Sequence, residues 1–357
     1  MSSFLTSPNS PSYSILPLKL NLDIKINILY FVINFVNNFR NNLSISLKYY
    51  KELFMATVLS REQVNFSFSK NLEPIAKVHP AETVTFETQD ALCRNAPRGK
   101  DEIFPDLDLS QVNPVTGPVE IEGAKAGDIL VARIEDIKLA SFGHIQAFKG
   151  MGPIPNFLEE NHTRTVEIKD GFSIFNDTIK LPIEPMIGTI GVAPAEGEIY
   201  TVDPGPHGGN MDNNEVKAGT TIYFPVFVDG ALFALGDVHA NMGDGELPGA
   251  GIDICADVTV HLDVLKGRSI KRPIIETETA YVVTSNAPSF NEASQIATEE
   301  MISLLQTGLG VNRLEAFWLI GAAGNLMISQ ACNGPIDLTL RMAFPKLERI
   351  LSWKNIF

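Results

Sequence analysis

A chain of 357 residues with 45% hydrophobic and 20% charged residues has the length of one large domain or two ordinary ones, and the balance of a globular protein. Its formal net charge of −14 argues against binding to nucleic acid or to an anionic membrane surface. The three cysteines, Cys93, Cys255 and Cys332, lie too far apart for a paired-cysteine metal knuckle and suit a reducing compartment.

Residues 1–54 differ in composition from the rest. They hold eight asparagines, five basic residues and two acids. The apolar run Ile28–Val36 is too short for a membrane span, which needs about 20 apolar residues. It also lacks a small-residue cleavage site. Met55-Ala56-Thr57 reads as a natural start, with 1–54 as a non-family extension. If that extension is translated, its scarcity of acids fits a mitochondrial transit segment, although its single arginine does not.

From Met55 onward, short strand signals alternate with Gly, Pro and Asp punctuation. ETVTFET (Glu82–Thr88) alternates polar and apolar residues as a half-buried strand does. Gly117–Leu139 reads as strand, turn, strand, with the turn at Ala126-Gly127-Asp128. Thr221–Gly236 reads as a hairpin closed by Asp229-Gly230, the dipeptide that suits a tight two-residue turn. Along Ala256–Leu265, Val258, Val260, Leu262 and Val264 share one face and Thr259, His261 and Asp263 the other. The period then changes. Ser289–Gly308 has a capping serine, helical apolar spacing and a terminal glycine. Asn312–Ser329 reads as a second, nearly all-apolar and buried helix. The expected fold is mainly β (β-rich α+β), with one or two C-terminal helices and one domain over 55–357.

Two polar, glycine-rich clusters flank the expected hairpin: DPGPHGGNMDNN (Asp203–Asn214) and GDVHANMGDGE (Gly236–Glu246). Asp237 and His239 have the i, i+2 spacing that points both side chains to one side of a strand. Asp244 and Glu246 repeat that spacing. A short hairpin would bring Asp212 next to Asp237 and His239. Carboxylates with an imidazole form a ligand set for a divalent metal, and three such ligands with an open position make a hydrolytic site. Glu246 then stands as a carrier of protons. Against this, an aspartate in a glycine-rich turn usually caps its own backbone, which weakens Asp229 and Asp244. Asp212 could hold a metal, a water or only its own backbone. His79, His144, His162 and His261 read as structural, and Cys255 as an inert thiol. The chain contains no G-x-S-x-G elbow and no Ser–Ser–Lys stretch, which favours activated water over a covalent acyl-enzyme.

GPHGGNMD (Gly205–Asp212), Ala218–Glu246, Asn113–Leu130, GVAPA (Gly191–Ala195) and ISQACNGP (Ile328–Pro335) together resemble the acetamidase/formamidase family, in family order across roughly 80–340. The resemblance implies a β-rich fold, usually oligomeric, that hydrolyses short linear amides to carboxylate and ammonia. It implies a divalent metal, zinc or calcium, in some members. On this reading Asp212, Asp237 and His239 hold the metal or polarise water, and Glu246 and Asp244 serve the proton transfers. His207, Gly208, Gly209 and Asn210 meet the substrate. The sequence departs from the family pattern at Asn241-Met242, Pro248-Gly249 and Asp253, beside the expected pocket, which bears on substrate choice. The expected partners are a small amide and further copies of the chain, with no nucleic acid and no membrane, in the cytoplasm. The alternative is a non-catalytic member of the same fold that binds a small ligand or a metal.

Overall fold

The computed structural model describes residues 57–332 and 336–347. The 1–54 extension and the start at Met55 lie outside the described residues. The strands that position the site are, in chain order, β1 (Glu82–Glu87), β2 (Val115–Ile121), β3 (Ile129–Ala147), β4 (Asn161–Lys169), β5 (Met186–Gly191), β6 (Gly208–Asn210), β7 (Thr221–Pro225), β8 (Phe233–His239), β9 (Ile252–Leu265) and β10 (Ala280–Ala287). Helices α1 (Phe290–Leu309) and α2 (Arg313–Ala323) follow, and then strands β11 (Asn325–Gln330) and β12 (Leu338–Pro345). The fold is mainly β with two helices near the C-terminus, as expected.

The alternation along Ala256–Leu265 is realised in β9. Val258, Val260 and Leu262 are buried, and Thr259, His261 and Asp263 are only half-buried. One edge of β9 pairs antiparallel with β3, from Ile252↔Ile145 to Leu265↔Ile129. The other pairs with β1, from Asp257↔Glu87 to Leu262↔Glu82. Beneath these strands lies the main core, which includes Phe86, Phe224 and Phe233 packed edge to face at 5.6 and 5.9 Å between ring centroids. The turn expected near 126–128 is present, with Gly127 at φ 92°.

The hairpin expected over Thr221–Gly236 does not form. β7 pairs with β3 and with Ile274–Glu276, whereas β8 pairs with β5, β2 and β9. The chain bends at Asp229-Gly230, but Gly230, Ala231 and Leu232 all take positive φ. The connection therefore carries the chain away from β7 instead of folding it back. A two-residue turn signal is local, and strand pairing is decided by which apolar faces meet across the whole sheet.

α1 forms where expected and starts at the expected cap, but it runs past Gly308, the expected stop, to Leu309. Ser289 accepts from the Glu292 amide, Gly310 closes the helix at φ 68°, and Ala297, Met301 and Leu305 pack on Tyr281, Met342 and Phe344 of β10 and β12. The second helix is shorter than expected and mostly exposed. A capping box of Asn312 and Glu315 starts it, and it ends at Ala323. The rest of the expected helix is β11, paired antiparallel with β12 from Asn325↔Ala343 onward. Only Ala316 and Ile320 of α2 are buried, and Leu314, Phe317 and Trp318 stand more than half exposed.

Candidate active site

β5 organises the site. One edge pairs with β6 (Thr189↔Asn210) and the other with β8 (Met186↔His239, Thr189↔Gly236). The two polar clusters meet across this strand, not across a hairpin. Gly188 sits between them. A Cβ there would lie 2.5 Å from Asp212 Oδ1 and 2.6 Å from Asp237 Oδ2. The bare backbone is what lets both carboxylates close over it. The amides of Met211 and Asp212 both donate to the Gly188 carbonyl, which holds the Asp212 loop in place.

Asp212 (φ 43°), Asp237 (φ 54°) and Glu246 (φ 46°) all hold left-handed backbone, as does Asn113 (φ 52°). Non-glycine residues there are uncommon, and each costs on the order of 1 kcal/mol or more unless its surroundings enforce it. Such strain collects where a side chain must be aimed, and these four side chains converge. Asn113 donates to Asp237 Oδ2 at 3.0 Å, and the Thr189 hydroxyl donates to the same oxygen at 3.1 Å. Gln330 donates to Asp212 Oδ2 at 2.5 Å and to Glu246 Oε2 at 3.2 Å.

His239 is the hub. Its Nε2 lies 3.0 Å from Asp253 Oδ1, 3.4 Å from Asp237 Oδ1 and 3.9 Å from Glu246 Oε1. Nδ1 faces Met186 Sδ at 3.2 Å. One ring nitrogen cannot donate to three carboxylates. Among the described residues no lysine or arginine comes within ion-pair distance of Asp212, Asp237, Glu246 or Asp253, and all four are buried. Buried, unpaired acid is costly, and protons or a cation must offset it. Burial, followed by the charges of Glu246 and Asp237, raises the Asp212 pKa well above the ordinary range. Burial raises Glu246, and it pushes Asp253 up to about 7. Burial alone would lower His239, but the Asp237 and Asp253 carboxylates outweigh it and hold the imidazolium well above its usual value.

The same residues suit a divalent metal. The Asp212, His239 and Glu246 ligand atoms lie within 4.8 Å of one another, as do those of Asp237, His239 and Asp253. Asp212 Oδ1 is buried without a hydrogen-bond partner. Oxygen and imidazole donors with an unsatisfied carboxylate oxygen are the chemistry of a zinc-type or harder cation site.

The cluster forms the floor of a cavity of about 210 Å³, which Asn113, Asn210, Asp237, His239, Glu246, Asp253 and Gln330 line. Of the residues singled out in the sequence, Asp237, His239, Glu246 and Asn210 reach this cavity, and Asp212 lies directly behind it. His207 does not line it. Its ring is 1% exposed, packs edge-on to Phe68 at 5.0 Å, and leaves both nitrogens without a hydrogen-bond partner. Gly205 and Gly209 are glycines partly to make room for this ring. A Cβ on either would fall 2.7 Å from Nδ1 or 2.9 Å from Nε2. Gly208 is likewise absent from the lining, and its Cβ would strike the Ile190 carbonyl. Asp244 is turned away from the floor. Arg341 Nη2 donates to both its oxygens at 2.8 and 2.7 Å, and Asn214 donates to it at 2.8 Å. It fastens the Glu246 loop and does not line the cavity.

Asp253, Gln330, Asn113 and Gly188 are site residues that the sequence pattern did not single out. In the sequence Asp253 stands out only as a departure from the family pattern. It is the cross-strand partner of His239.

A family model described as the acetamidase/formamidase family matches residues 58–199 and 195–335. An acetamidase from Mycolicibacterium smegmatis is 26% identical over 232 residues, which cover 45% of this chain and 56% of that protein. The chain thus spans little more than half the length of that relative. A formamidase from Methylophilus methylotrophus is 24% identical, covering 77% of this chain and 84% of its own. A crystal structure of a predicted acetamidase/formamidase from the thermophile Thermoanaerobacter tengcongensis superposes with a TM-score of 0.78 at 38% identity, over 82% of this chain and 96% of that one. The family model spans most of the chain, and the buried acid–histidine floor lies within it: the protein belongs to the acetamidase/formamidase family.

Proposed function

We propose that the protein is an amidohydrolase that cleaves the carbon–nitrogen bond of linear amides, with Glu246 as the group that carries the protons. The observation behind this reading is the floor of four buried acids around His239 at the base of a cavity. Glu246 lines that cavity, and burial raises its carboxyl pKa above the ordinary value. An amide is a weak electrophile with a poor leaving group, so hydrolysis needs both carbonyl polarisation and a proton for the departing nitrogen. Glu246 takes a proton from the attacking water and delivers it to the amine. Gln330 steadies both Glu246 and Asp212, and Asn113 and Thr189 fix Asp237. Asp212, Asp237, His239 and Asp253 are the residues that would hold a divalent cation such as zinc or calcium, leaving Glu246 free for the proton transfers. Such an ion supplies Lewis-acid polarisation of the carbonyl and lowers the pKa of water.

Support for a homo-oligomer comes from Leu314, Phe317 and Trp318, an apolar surface on α2 that a monomer rarely leaves bare. Among the described residues no helix is long and apolar enough to cross a membrane. The cytoplasm is the compartment we assign, because a chain of this length carries only three cysteines, far apart in sequence, as suits a reducing compartment.

The test is ammonia release from formamide, acetamide and longer amides by the protein starting at Met55, with and without a chelator. Turnover should appear and should fall on chelation, returning with added metal. Glu246→Gln should lower kcat by about 10²–10⁴ with the circular dichroism spectrum unchanged. Near-normal release by that variant would remove Glu246 from the chemistry. Amide binding without any release would identify a non-catalytic member of the family.

A further inference from the structure

The outer part of the cavity differs from its floor. Leu92, Leu107, Leu109, Val112, Phe148 and Met151 line it. Its charged residues outside the floor, Asp106 and Lys149, are exposed and stand at the rim. A water occupies roughly 30 Å³, so an amide of four heavy atoms such as acetamide displaces on the order of three waters and needs only about 90 Å³. The cavity is about 210 Å³. With such a substrate, most of the apolar wall would face water. Among the described lining residues the one cation outside the floor, Lys149, is exposed and accompanied by Asp106, and the buried acids of the floor repel an anionic tail.

We infer that this protein takes neutral amides bearing an apolar arm of about three to six carbons, with the amide head on the acid floor and the arm against Leu92, Leu107, Leu109, Val112, Phe148 and Met151. The inference rests on the amidase reading and names its substrate class. The arm would expel water from the wall, which strengthens binding by about fourfold for each buried methylene. The arm is carried on either the acyl or the nitrogen side of the amide, and the experiment separates the two.

Two substrate series test it: straight-chain primary amides from formamide to hexanamide, and N-alkylformamides from methyl to pentyl. kcat/KM should rise about three- to fourfold per carbon along at least one series until the cavity is full. Values that stay flat or fall along both series, while formamide or acetamide is hydrolysed, overturn the arm subsite and leave the amidase reading standing. If no amide is hydrolysed, the amidase reading fails on its own. Dissociation constants of the same compounds, measured by calorimetry, then decide the subsite: tightening with length supports it, and no tightening overturns it. Leu109→Trp should lower the pentanamide-to-acetamide ratio of kcat/KM about tenfold, mainly through KM. Met151→Ala should move the optimum to a longer arm. An unchanged ratio in both variants, each with a wild-type circular dichroism spectrum, also overturns it.

Discussion

The molecule buries two histidines equally well and treats them in opposite ways. His207 and His239 are each 1% exposed. His239 lies among carboxylates and is held protonated. His207 lies between two glycine backbones and a phenyl ring. Burial, reinforced by the Arg272 charge, pushes its pKa down to about 4. The sequence offers both as histidines in glycine-rich polar clusters. Burial therefore does not mark a functional imidazole. What distinguishes the two is whether the neighbouring strands supply carboxylates: β8 and β9 bring Asp237 and Asp253 to His239, whereas the charge that acts on His207 is that of Arg272.

The sharpest way to break this contrast is to remove each ring. His239→Gln should lower kcat by about 10²–10⁴, because the group that compensates the surrounding carboxylates is lost. His207→Gln should change turnover little in a steady-state ammonia assay. Comparable losses in both would mean that His207 reaches the chemistry after all.

A smaller effect is expected at the strand that separates the two regions. Gly188→Ala places a methyl where Asp212 and Asp237 now close. Both carboxylates must move by about an ångström, which in a positioned site costs about 10² in rate, and overpacking costs about 1–3 kcal/mol of stability. Enzyme assays and denaturant melts would register both. Wild-type behaviour would show that the carboxylates do not need their present spacing.

Much of this was legible locally. The alternation of 82–88 and 256–265 and the Ser289 cap of α1 depend on neighbours a few residues away, and they appear where expected. Asp212, Asp237, His239 and Glu246 were found because their glycine-rich, acid–histidine surroundings are unusual in a strand-rich chain. The expected reason for their meeting was wrong. A turn dipeptide at 229–230 suggested a hairpin, whereas β5 joins the two clusters from a segment with no signal of its own. Asp253 and Gln330 were missed for the same reason. They reach the site through strand register and through the contact of the Gly245 loop with β11, neither of which has a sequence period. α2 was overestimated because its apolar content reads as burial, while Phe317 and Trp318 face outward and Asn325–Gln330 is drawn off to pair with β12.

The gentlest test concerns His207 alone. Its folded-state pKa of about 4 lies below the ordinary value of 6.5. Between those values the unfolded chain binds a proton that the folded chain refuses. This contribution to stability is therefore fully present above about pH 6.5 and is lost as the pH falls toward 4. Between pH 7 and pH 5 the loss amounts to about 2 kcal/mol. Glutamine at this position has no such proton. The difference in unfolding free energy between wild type and His207→Gln, measured by denaturant at both pH values, should therefore shift by about that amount in favour of the variant at pH 5. Glu246, Asp253 and Asp212 titrate in both proteins and cancel in the comparison. A difference that does not move with pH would mean that His207 is protonated in the folded protein, and the contrast with His239 would then disappear.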